Sequence, residues 1–157
     1  MSCKLFVEYR RNGFWAYDVA VGILLKHVID CAKKFTVQEG FAWLRDCVER
    51  WCVNAVISDF GMHLDEAWSE DQIQIVRQLI DDACNDLLQR ECIPAEEMSA
   101  WNILDGEGVF PRGASQFPTA PVIELGRAVQ SLFDGTLPKA PGGRTWYFGV
   151  ESGRDII

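Results

Sequence analysis

Four stretches of the chain repeat apolar residues at alternating spacings of three and four. Val21, Leu24, Leu25, Val28, Ala32 and Phe35 form the first, and Phe41, Leu44, Val48, Trp51 and Ala55 the second. Ile73, Val76, Ile80, Ala83 and Leu87 form the third, and Val122, Leu125, Val129 and Leu132 the fourth. Only an α-helix places residues so spaced on one face; a strand would throw them to both sides of a sheet. Each stripe must be covered by another element, so the rhythm predicts helices packed on helices around one core.

The punctuation agrees with the rhythm. Ser69 with Gln72 three residues later forms a capping box ahead of the third stripe, and Thr36 with Glu39 offers another ahead of the second. Gly61 and Gly135 are natural helix stops, because glycine accepts the left-handed backbone that closes a helix. The third helix should end near Glu91, before Pro94, and Pro94–Leu104 carries a weaker pattern for a short helix.

Strand composition is confined to the two ends. Lys4–Arg10 mixes aromatic and β-branched residues, and Asn12-Gly13 fits a two-residue hairpin turn. The residues after it read either as a return strand or as the lead into a helix capped by Asp18. Thr145–Val150 also has strand composition, and a sheet pairing it with Lys4–Arg10 would join the ends. The expected fold is therefore mainly α (α+β): a single domain over 1–157, a bundle of four to five helices with a small sheet. Residues 105–121 read as a long ordered loop, since Val109, Phe110 and Phe117 gain by burial and its three prolines lower the entropy lost on ordering. Residues 151–157 read as a loose tail.

Charge narrows the partners. The chain carries a formal charge of −8 with a pI near 4.7, against nucleic acid or anionic lipid as general partners. The acid is concentrated in 65–91, with eight Asp/Glu against two Arg, whereas 1–35 carries six Lys/Arg against three Asp/Glu. The apolar run Val19–Leu25 is short, Asp18 interrupts it upstream and no small-residue cleavage site follows, which argues against a signal peptide. No run reaches the roughly 20 residues of a membrane span. The six cysteines lie mostly within helical patterns and lack a C-x-x-C pair, which predicts buried, reduced thiols and a cytoplasmic location.

Motifs for catalysis are missing. "GVFPRGAS" (Gly108–Ser115) has the glycine frame of a phosphate loop, but Ala114 stands where the lysine must be. "DFGMHLDE" gathers Asp59, His63, Asp65 and Glu66 without the spacing of a metal site. No cofactor and no metal is expected, and nucleophilic catalysis has no support. Trp43 lies off the Leu44 stripe, so it must meet a second element or a partner.

The third helix is the most informative surface. Opposite its apolar arc lie Glu70, Gln74, Gln78, Asp81, Asp82 and Asn85, an acidic platform suited to a basic protein partner. The first expectation is thus an acidic cytosolic protein-binding domain that acts by occluding its partner. In size, acidity and lack of catalytic motif it is similar to bacterial toxin-immunity proteins, a likeness of composition only. The alternatives are a small enzyme or ligand-binding protein with a pocket under the 105–121 loop, or a homo-oligomeric structural domain. In the former, Arg112, the loop's only cation, would clamp a carboxylate or phosphate.

Overall fold

The computed structural model describes residues 3–57 and 61–157. Five helices and a small mixed sheet make up the fold: α1 (Asp18–Thr36), α2 (Ala42–Val56), α3 (Glu70–Leu87), α4 (Ala95–Ala100) and α5 (Thr119–Asp134). The strands are β1 (Lys4–Tyr9), β2 (Asn12–Tyr17), β3 (Cys92–Pro94), β4 (Gln116–Pro118), β5 (Trp146–Phe148) and β6 (Arg154–Ile156). The main sheet runs β1-β2-β5-β6, while β3 and β4 form a separate two-stranded ribbon.

Helix α1 is the axis. Val19 to Leu25 are buried without interruption, so its first two turns are covered on all sides. The main sheet lies over its start, and α2, α3 and α5 pack along it. At Gly22 the cover is closest: a Cβ there would lie 2.9 Å from Cγ2 of Val109 and 3.0 Å from the Ala55 carbonyl oxygen. The missing side chain lets the loop after α4 pack directly on the helix.

The hairpin turn is not at Asn12-Gly13. The sheet register pairs Leu5 with Ala16, Val7 with Phe14 and Tyr9 with Asn12, which leaves Arg10 and Arg11 in the turn. Both have left-handed backbone, at φ 48° and 69°, at a cost of about 1 kcal/mol or more each. The register explains why that cost is met. A turn at Asn12-Gly13 would pair Val7 with Asp18, which already belongs to α1. Gly13 is instead used for close approach, since a Cβ there would sit 2.5 Å from Cε2 of Phe6.

Other boundaries move for local reasons. Thr36 does not cap α2; it ends α1, with its hydroxyl donating to the Lys33 carbonyl at 3.2 Å. Helix α2 begins after Phe41 and ends at Val56, ahead of Gly61. Ser58 and Asp59, also part of that expected stop, lie outside the described residues. The Ser69–Gln72 capping box forms with both of its hydrogen bonds, and Gly135 closes α5 at φ 69°. β5 pairs with β2, not with β1, and does so in parallel, Trp15 opposite Tyr147. Residues 151–157, read as a loose tail, carry β6, which pairs with β5.

The 105–121 stretch is shorter as a loop than its composition suggests, because it includes β4 and the first residues of α5. Val109 and Phe117 are buried, but Phe110 is 69% exposed. Val109 takes the slot on Gly22, while Phe110 stays outside with the Arg112 guanidinium 5.9 Å from its ring centre.

One buried group is unmatched. The Tyr9 hydroxyl has no hydrogen-bond partner among the described residues, although the residue is fully buried and its ring packs edge-on to Phe133 at 4.9 Å. Leaving such a hydroxyl unsatisfied costs about 1–3 kcal/mol. Tyr9→Phe should therefore raise stability by about 1 kcal/mol, read as a higher denaturation midpoint in urea at unchanged slope.

Candidate functional site

Helix α3 buries Ile73, Val76, Leu79, Ile80, Ala83 and Leu87 and turns its polar residues outward. Glu70, Gln74, Gln78, Asp81 and Asn85 are exposed, and Asp82 is half-buried. Their surroundings differ. Asp82 faces α1, where Lys34 Nζ lies 3.7 Å away, and it accepts from Gln78 Nε2 at 2.8 Å. Asp81 faces α5 and accepts from Gln130 Nε2 at 3.0 Å. Arg77, the helix's only cation, is drawn to α5, donating to Gln130 at 2.9 Å and to Asp134 at 2.6 Å.

The two helices thus frame a groove of about 420 Å³. Gln78, Asp81 and Asn85 form one wall, Arg127 and Gln130 the other, with Cys84 and Leu88 completing the lining. Of the residues singled out on α3, the structure brings Gln78, Asp81 and Asn85 to the groove; Glu70 and Gln74 lie beyond it, and Asp82 is paired elsewhere. Sequence reasoning missed Arg127, Gln130 and the exposed Leu88. The signal was present: Arg127, Gln130 and Asp134 recur at three and four along α5, beside its apolar stripe.

The groove is not suited to thiolate chemistry. Burial, with help from the Asp81 charge, pushes the Cys84 thiol up to about 11, so it stays protonated near neutral pH. All six cysteines are free. Only Cys47 and Cys84 are buried and the other four are half-buried; of these Cys31 and Cys52 lie on helices, while Cys3 and Cys92 lie outside them.

Arg112 holds a carboxylate of its own chain. Its Nε lies 2.9 Å from both oxygens of Asp18, and Nη2 lies 2.5 Å from Oδ2. The Asp18 side chain is only 7% exposed. Asp18 is the first residue of α1 but does not cap it with its side chain; the carboxylate instead ties the loop to the start of the central helix. Arg112→Ala would strand that carboxylate in a dry setting, and a loss of about 3 kcal/mol is expected. Arg112→Lys should recover only part, lacking the two-pronged fork. Urea titration of the three proteins measures both effects.

A second cleft, of about 580 Å³, lies between α2 and the segment before α3. Trp43, Asp46, Cys47 and Arg50 line one side, and His63, Asp65, Glu66 and Trp68 the other; Trp43 is partly buried against the core. The segment is pinned through its backbone. Trp51 Nε1 donates to the His63 carbonyl at 2.9 Å, and the His63 amide donates to Asn54 Oδ1 at 2.8 Å. Asp65 accepts from the Ala67 amide, and Glu66 from the Arg10 amide in the hairpin turn. Asp59 lies outside the described residues, and among these no three His, Cys, Asp or Glu gather as a metal site. No described helix is long and apolar enough to cross a membrane.

Both histidines favour the neutral form. Burial lowers the pKa of His27 and of His63, and the Arg50 charge adds to the effect at His63. With folded pKa values depressed, the unfolded chain binds more protons once pH falls below the ordinary histidine value. The stability present above that value is then lost as pH falls. The melting temperature should fall between about pH 7 and pH 5.5, and His27→Gln with His63→Gln should flatten that slope.

In comparisons with protein-family models, curated proteins and solved structures, nothing matches this chain.

Proposed function

We propose that this protein is a binding module that engages a basic protein partner along α3 and the α3–α5 groove, and acts by covering the partner's working surface. One observation carries the reading. Ion pairs within the fold engage Asp18, Asp30, Asp82, Glu97, Glu124 and Asp134, and exposed acids without one occur elsewhere too, Glu39 and Glu49 among them; α3 gathers four such acids on one helix. On α3 the exposed Glu70, Asp71, Asp81 and Asp86 have none among the described residues. The helix's own cation, Arg77, is spent on α5.

Charges left open in this way act chiefly on the rate and orientation of association. Leu88, 57% exposed at the end of the groove, supplies an apolar contact that a charged rim can surround. The occluding role of a toxin-immunity-type protein fits the same features, small size and an acidic face without catalytic groups.

The test reverses charge without touching the core. Asp81→Lys with Asp86→Lys leaves the Lys34–Asp82 pair in place. It should slow association with a basic partner recovered from the native cell by about tenfold or more at low salt, the difference shrinking as salt rises. Glu39→Lys with Glu49→Lys makes the same change of charge away from α3 and should leave association near the wild-type rate. Equal rates for both double variants would reject the acidic face as the docking surface.

A further inference from the structure

A third cleft, of about 440 Å³, opens between the β1–β2 hairpin and the segment leading into β5. Its lining has the opposite sign to the rest of the molecule. Arg11, Lys139 and Arg144 all line it, and no Asp or Glu does. All three are exposed, and none forms an ion pair among the described residues. In a chain of net charge −8, three unpaired cations around one concavity require an explanation.

The walls around them are formed by the fold. Arg11 is held in the left-handed region by the hairpin register, which fixes where its side chain leaves the backbone. Arg144 donates one nitrogen to the Ile156 carbonyl at 3.2 Å, which anchors the guanidinium beside β6 and leaves its other donors open. The remaining lining is partly aromatic. Phe6, 41% exposed, lies over Gly13 and edge-on to Trp15 at 5.1 Å. Trp146 is fixed by its Nε1 donating to the Pro138 carbonyl at 2.7 Å.

We infer that this cleft binds a small phosphorylated ligand, with Arg11, Lys139 and Arg144 receiving a di- or triphosphate. Two guanidinium forks and one ammonium match the several anionic oxygens of such a group, which a single carboxylate would not satisfy. The volume lies within the range of small-ligand sites. The exposed face of Phe6 gives an aromatic or apolar moiety of the ligand a surface to rest on. The site shares no residue with the α3–α5 groove, so it stands whether or not the acidic face binds a protein.

Calorimetric titration of the intact protein with pyrophosphate, ATP and inorganic phosphate tests the inference. Pyrophosphate and ATP should bind, both more tightly than inorganic phosphate, and more weakly as salt rises. ATP tighter than pyrophosphate would identify a nucleotide-like ligand; equal affinities would identify a polyphosphate without an aromatic part. Lys139→Glu with Arg11→Gly should weaken both by about tenfold or more. Glycine relaxes the left-handed turn position, so this variant keeps the fold, checked by an unchanged circular dichroism spectrum and melting temperature. Absence of binding at millimolar pyrophosphate and ATP would overturn the assignment, as would binding that the double variant leaves unchanged.

Discussion

Everything in this fold answers to the burial of the first half of α1. A helix apolar from Val19 to Leu25 on every side cannot rest on one neighbour. It needs a surface from each direction, and the chain supplies four kinds. The sheet covers the start, α2 one flank, α3 and α5 the others, and a loop residue, Val109, closes on Gly22. The Asp18–Arg112 pair then does what hydrophobic contact cannot, fixing the loop in one direction and at one height against the helix. Burial sets which elements are present; the ion pair sets where one of them stops.

This ordering explains why some features were legible in the sequence and others were not. Helices α1, α2, α3 and α5 were visible because period and burial are the same fact read twice. The Ser69 capping box was visible because its partners are three residues apart. The hairpin turn was misread because register is decided by where α1 begins, a tertiary matter, and not by the turn propensity of Asn12-Gly13. β5 was recognised as a strand but assigned to the wrong neighbour, since pairing across the whole chain leaves no local mark.

The sites divide in the same way. The polar face of α3 could be read from one helix alone. Its second wall could not, because Arg127 and Gln130 enter only when α5 is laid beside it. Arg112 stood out as a lone cation, but its partner Asp18 lies at the far end of the sequence. Arg11, Lys139 and Arg144 left no signal at all: averaged over any window, their charge dissolves into an acidic chain. Local reading finds faces; it does not find concavities built from distant segments.

The parallel pairing of β2 with β5 has a consequence for how the protein is made. On the ribosome the hairpin and α1 emerge well before β5, the strand whose Tyr147 lies opposite Trp15. Until then β2 presents an open edge, the kind of surface that recruits a stray strand from another chain. Contacts so far apart in sequence also form slowly compared with helix packing. The nascent domain would therefore stand as a helical core with an unfinished sheet until β5 and β6 emerge.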